Sequence, residues 1–228
     1  MTAADLKGAD LSGITGLHFH TLCEQGADTL DRTLDQVEAQ FGDLLHEMEW
    51  LNMGGGHHIT QPDYDRALLI RRIAEIRERY DLRVILEPGE AVAQEAGYLV
   101  STVLDVFESE NQRHAILDVS ATAHMPDVLE MPYRPEILGG APPAESDDSY
   151  LLGGNTCLAG DRIGVYSFDH KLEIGETLVF TDMAIYSMVK TTLFNGVQHP
   201  ALALWDREID SVEVTRTFGY ADFRNRVG

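Results

Sequence analysis

Positive charge is what this chain has least of. Seventeen Lys+Arg stand against 38 Asp+Glu in 228 residues, a net of −21 before histidine. A field of that sign repels a polyanion, which excludes nucleic-acid binding by phosphate neutralisation. The acidic excess leaves two readings, plain solubility or a site that attracts a cationic substrate. Lysine is scarce, with Lys7, Lys171 and Lys190 the whole complement. Cysteine is limited to Cys23 and Cys157, too few for a disulfide framework, so both read as reduced thiols. No apolar run approaches the roughly 18 residues of a membrane helix. Met1-Thr2-Ala3-Ala4-Asp5 lacks the basic and apolar regions of a secretory signal, so a cytoplasmic chain with no membrane partner is expected. Hydrophobic residues at 44% and charged residues at 24% are the balance of a globular chain with a sizeable core, not of a disordered one.

What is present is a change of period part-way along. Ile14 to His20 reads as a short strand, and Leu30, Leu34, Val37, Phe41 and Leu44 then recur at threes and fours, one face of an amphipathic helix. Trp50 to Met53 is a second apolar run, ended by Gly54-Gly55-Gly56; Tyr64, Leu68, Ile73, Ile76 and Tyr80 follow as a helical stripe. Arg83 to Leu86 is a third strand, ended by Glu87-Pro88-Gly89. This alternation predicts parallel βαβ units over 1–95, as in a (β/α) barrel or a doubly wound sheet. Over 96–228 the β-branched and aromatic runs Tyr98 to Val106, His114 to Val119, Arg162 to Phe168, Thr177 to Phe180 and Val212 to Thr217 are separated by Gly, Pro and Asp. They predict a mostly antiparallel β-domain. The fold class is therefore α/β followed by all-β. Gly139 to Asp148 carries every loop signal and is expected to be an exposed excursion.

The unusual residues of the first portion fall at strand ends: His20 with Cys23 nearby, the triple glycine, and Glu87. A lone histidine, a glycine run and a Glu-Pro-Gly turn are each common structural features. Their recurrence at three successive C-terminal strand ends points to function, because functional groups gather there in parallel barrels. Three glycines between a strand and a helix let backbone approach a ligand, and their N–H groups with the helix N-terminus suit a phosphate. The spacing is neither the Walker pattern nor G-x-G-x-x-G, so a nucleotide fits less well. His57-His58 offers no metal site, since adjacent side chains near a helix start splay apart and no second cluster has ligand spacing.

GLHFHTLCEQ at 16–25, WLNMGGGHHIT at 50–60 and LEPGEA at 86–91, continued by HMPDVLEMPYRP at 124–135, TCLAGD at 156–161 and FNG at 194–196, resemble successive motifs of the carboxynorspermidine (carboxyspermidine) decarboxylases. That family is similar to the ornithine and diaminopimelate decarboxylases, pyridoxal 5'-phosphate enzymes with an alanine-racemase-like barrel followed by a β-domain, working as dimers. The resemblance implies removal of an α-carboxylate as carbon dioxide from a cationic polyamine precursor, leaving norspermidine or spermidine. It gives His20 the role of stacking on the pyridine ring and puts Cys23 where relatives often have a phosphate-binding serine. Gly54, Gly55 and Gly56 become the phosphate loop, Glu87 the partner of the pyridine nitrogen, and Tyr186 the tyrosine that reaches the phosphate. Cys157 takes the position of the cysteine that protonates the carbanion across the dimer interface, with Asp161 near it. Glu90 stands where ornithine and diaminopimelate decarboxylases carry arginine; with Asp127 it is expected to hold the polyamine chain, and Arg134 a substrate carboxylate. Ala123 and Ile185 depart from the cysteine and histidine expected of the family.

Chemistry of this type needs a lysine for the cofactor aldehyde, and none of the three matches the family position. Only three of eight expected barrel units can be counted, so the chain is expected to be the C-terminal portion of a longer enzyme, an incomplete barrel followed by the β-domain. Two alternatives stand beside the leading one: a non-catalytic regulatory partner pairing with a complete homologue, and a diaminopimelate-type decarboxylase, against which Glu90 argues.

Overall fold

The computed structural model describes residues 2–143 and 148–228, which divide into two compact units, the first ending at Gln94 and the second running from Glu95. The first unit contains α1 (Ala3–Leu6), β1 (Gly16–His18), α2 (Ala27–Leu45), β2 (Trp50–Gly55), α3 (Arg66–Tyr80), β3 (Arg83–Glu87) and α4 (Gly89–Ala93). Its three strands pair in the order β1-β2-β3, all parallel, with Gly16 opposite Trp50 and Leu51 opposite Val84. The helical stripes are the cause: Leu30 and Leu34 of α2 and Leu69, Ile76 and Tyr80 of α3 join one core with Leu51 and Met53 of β2. Each such side chain contributes on the order of 1.5–3 kcal/mol by leaving water. Arg72 of α3 ties the helices by reaching Asp35 and Glu38 of α2 at 2.9 and 3.1 Å.

The second unit holds β4 (Leu99–Ser109), β5 (Gln112–Leu117), α5 (Ala121–His124), α6 (Asp127–Glu130), β6 (Ser149–Gly153), β7 (Arg162–Ser167), β8 (Thr177–Phe180), α7 (Tyr186–Val189), β9 (Leu202–Asp206), β10 (Ser211–Arg216) and α8 (Tyr220–Val227). Five strands form one sheet in the order β7-β6-β5-β4-β8; β9 and β10 make a separate antiparallel ribbon. Pairing is antiparallel except between β5 and β6, which run parallel with Arg113 opposite Tyr150. The long crossover through α5 and α6 permits this, since a parallel neighbour cannot be reached by a tight turn. Tyr150 and Tyr166 are nearly inaccessible to solvent. Both hydroxyls are satisfied: Tyr166 donates to Pro135 O at 2.6 Å, and Tyr150 accepts from Leu172 N at 3.2 Å.

Two expectations are corrected. Strands β6 and β9 lie where none was expected, because Ser-Tyr-Leu-Leu-Gly and Leu-Ala-Leu-Trp-Asp have few β-branched residues. Gly54 and Gly55 belong to β2 itself, since Gly55 pairs with Glu87 across the sheet. The stretch expected as an exposed excursion is exposed at Gly139 and at Ala141, Pro142 and Pro143, tied back where Ala141 bridges Ser167 with N–H···O bonds of 2.9 and 3.1 Å; residues 144–147 lie outside the described residues. Among the described residues no helix is long and apolar enough to cross a membrane.

Candidate cofactor site at the strand ends

Because β1, β2 and β3 are parallel and in register, their C-terminal ends lie side by side and gather residues distant in sequence. Asn52 is the centre. Its Nδ2 donates to Glu87 Oε1 at 2.6 Å, and its Oδ1 accepts from Gly54 N at 2.9 Å, so both ends of the amide are committed and its orientation is set. Glu87 keeps Oε2 open towards His18 Nε2 at 3.5 Å and His20 Nδ1 at 3.9 Å. Gly55 N–H donates to His20 Nδ1 at 3.3 Å. That assigns the proton of a neutral ring to Nε2, the atom 3.6 Å from Cys23 Sγ.

The glycines are required by the neighbouring strands. A Cβ on Gly55 would lie 2.0 Å from Glu87 O, one on Gly54 2.4 Å from Phe19 O, and one on Gly56 2.7 Å from Cys23 Cα. Gly54 and Gly56 also have φ of 73° and 83°, where side chains are strained. This corrects the expected threefold N–H cradle. Asn52 and His20 occupy the N–H groups of Gly54 and Gly55, and the parallel pairing of Gly55 with Glu87 turns the Gly56 N–H towards the Glu87 carbonyl, since Pro88 has no N–H to complete that pair. Nor does a helix start at the triplet: α3 begins at Arg66, its first turn capped by Asp65, which accepts from Leu68 N.

His57 and His58 do splay apart. His57 is buried with Nδ1 3.1 Å from Tyr64 Oη; burial lowers the imidazole pKa and pushes the Tyr64 phenol up to about 12. His58 accepts from Gln94 Nε2 at 3.3 Å on Nδ1 and places Nε2 3.3 Å from Glu90 Oε2. Glu90, expected as an open cation holder, thus has an imidazole within ion-pair distance of one oxygen but no hydrogen bond from it.

In the second unit, Cys157 is exposed and accepts from Asn195 Nδ2 at 3.0 Å. Asp161, expected as a catalytic group, is only 4% exposed. Its Oδ1 accepts from Ser120 Oγ and Thr122 N, and its Oδ2 from Thr156 Oγ1 and Thr156 N. A carboxylate with four donors braces the Cys157 loop and has no lone pair directed at solvent. Asp127 is likewise occupied, by Lys190 Nζ at 2.5 Å. That bond holds Lys190 above the usual lysine range and favours its ammonium form. Its Nζ also lies 5.3 Å from the ring centre of half-exposed Tyr186. Arg134 stands 5.3 Å over the Tyr166 ring and is exposed. Asn52, His18 and Asn195 were not singled out by their chemistry; the alternation that places Asn52 on the same side of β2 as Gly54 was the one available signal.

An imidazole, a carboxylate fixed on one oxygen and open on the other, and a glycine turn bare of side chains suit the ring, ring nitrogen and phosphate of pyridoxal phosphate. The family described as pyridoxal-dependent decarboxylase, C-terminal sheet domain, matches residues 64–184. This chain belongs to that family. It is 52% identical over 99% of its length to the carboxyaminopropylagmatine decarboxylase of Synechocystis sp., covering 58% of that protein. It is 45% identical over 98% of its length to the carboxynorspermidine/carboxyspermidine decarboxylase of Campylobacter jejuni, covering 61%. The crystal structure of carboxynorspermidine decarboxylase from Campylobacter jejuni, complexed with norspermidine, superposes with a TM-score of 0.89 at 44% identity, over 98% of this chain and 64% of that one. The chain thus spans about three-fifths of the length of these relatives. As a pyridoxal-dependent family member with this likeness, it has the fold of a barrel portion followed by a sheet domain.

Proposed function

We propose that the chain serves a pyridoxal phosphate-dependent decarboxylase that removes the α-carboxylate from carboxynorspermidine or carboxyspermidine, yielding norspermidine or spermidine for polyamine biosynthesis. The observation that carries this reading is the Glu87 carboxylate, anchored by Asn52 and open towards His18 and His20 at the ends of three parallel strands. When bound, the cofactor supplies an electron sink for the pair left on the α-carbon as carbon dioxide departs. Glu87 Oε2 would accept a hydrogen bond from the protonated ring nitrogen, His20 would face the ring with Cys23 beside it, Gly54, Gly55 and Gly56 would leave room for the phosphate, and Tyr186 is the residue assigned to the phosphate from the sheet domain. Cys157 Sγ–H returns a proton to the α-carbon, in a homodimer or beside a complete homologue, and Asp161 holds its loop. Glu90 receives a substrate ammonium. Arg134 is the group for a substrate carboxylate, while the pairing of Asp127 with Lys190 disfavours it as a direct cation holder.

The 52% identity to a carboxyaminopropylagmatine decarboxylase supports a second substrate, in which Glu90 meets a guanidinium. Carbon dioxide release from carboxynorspermidine, carboxyspermidine, carboxyaminopropylagmatine and diaminopimelate separates the readings, measured with pyridoxal phosphate for the chain alone and with a tagged complete homologue. Release from a carboxylated polyamine or its agmatine counterpart is expected. Release from diaminopimelate alone, or from none in either arm, would overturn the proposal.

A further inference from the structure

His18, His20 and Glu87 each bring one ligand atom within 4.8 Å of the other two, with Glu87 Oε2 3.5 Å from His18 Nε2 and 3.9 Å from His20 Nδ1, each on a half-exposed side chain. We propose that the cofactor-free chain binds a divalent transition-metal ion, Zn2+ or Co2+, on this tripod, and that metal and pyridoxal phosphate exclude each other.

Two imidazole nitrogens and one carboxylate oxygen are the donors that such ions prefer, whereas Mg2+ and Ca2+ select oxygen alone. Bonds of about 2.0–2.2 Å to one ion require donors closer together than the 3.9 Å of His20 from Glu87 and the 4.8 Å within which all three lie, so the side chains close on the ion. The frame is preformed. Parallel pairing sets His18 opposite Asn52, and Asn52 holds Glu87 by Oε1, leaving Oε2 for the ion. A fixed outer-shell partner of this kind is what orients a metal-binding carboxylate. The ion would displace only the 3.3 Å bond from Gly55 N–H to His20 Nδ1, and exposure of all three side chains lets water complete its shell. Exclusion rests on the reading that His20 and Glu87 serve the cofactor; the metal site does not.

The test titrates CoCl2 into the cofactor-free chain and follows visible ligand-field absorption, with cofactor binding followed by pyridoxal phosphate fluorescence. Saturable absorption is expected for the native chain. His18→Ala and His18→Gln should weaken cobalt binding at least about tenfold, and added pyridoxal phosphate should bleach the cobalt bands. No bands, or bands equally strong in both variants, overturn the site. Bands that persist alongside bound cofactor overturn the exclusion, whereas failure of cofactor binding with the cobalt site intact counts against the proposed function alone.

Discussion

Asn52 and Glu87, 35 positions apart, are joined by a 2.6 Å hydrogen bond between adjacent strands, and the same amide accepts the Gly54 N–H. One side chain therefore aligns both the acidic group and the glycine turn. A hydrogen bond to a charged acceptor is worth about 1.5–3 kcal/mol; with Glu87 nearly half exposed, about 1–2 kcal/mol is the better figure. Asn52→Ala should raise the dissociation constant for pyridoxal phosphate about tenfold. Asn52→Asp, which turns a donor into a like charge, should do worse. Fluorescence titration measures both, and unchanged affinity in either variant would remove Asn52 from the site.

Glu90 and His58 form a partly buried pair at 3.3 Å, each side chain less than a quarter exposed. Glu90→Gln should weaken norspermidine binding by about 1 kcal/mol, roughly a fivefold change in Kd. Calorimetric titration measures it. Equal affinity in the variant would leave Glu90 a structural partner of His58 and nothing more.

Asp161 gathers four donors in a buried position, and Gly154 packs against it so closely that a Cβ there would lie 2.3 Å from Oδ2. Asp161→Ala strands Ser120, Thr122 and Thr156, a loss of about 3 kcal/mol or more in urea unfolding of the full chain. The Cys157 thiol should at the same time react faster with a disulfide reagent, because its loop is released. A variant with wild-type stability would show that water satisfies these donors equally well.

His170 sits between Asp169 Oδ1 and Glu176 Oε1, each 2.7 Å from a ring nitrogen. Both nitrogens can donate only in the imidazolium, and Asp169 first, then Glu176, raise its pKa to about 9. A raised folded-state value contributes stability that is complete below the ordinary 6.5 and is lost as pH climbs through about 9. Histidine NMR titration should find this ring charged at pH 7.5 and Asp169→Asn should lower its midpoint. A midpoint near 6.5 in the native chain would sink the prediction.

Much of the first unit was legible because burying one helix face leaves a 3.6-residue period: Leu30, Leu34 and Ile76 all proved buried where their spacing placed them. The strands between those helices had to be parallel for the same connectivity reason. The second unit was read less completely. Strand β6 has too little β-branched character to announce itself, and its parallel pairing with β5 depends on where the crossover returns.

Local periodicity, charge balance and the motifs are properties of nearby residues, so the sequence by itself determined the βα order, the acidic surface and the candidate strand-end groups. Whether a carboxylate is open or already taken is a property of pairs far apart in the chain. Only the tertiary structure could turn Asp161 into a buried brace, match Asp127 with Lys190 and set His58 against Glu90. It likewise brought Asn52 to Glu87, because register across a sheet, rather than spacing along the strand, decides which polar atoms meet.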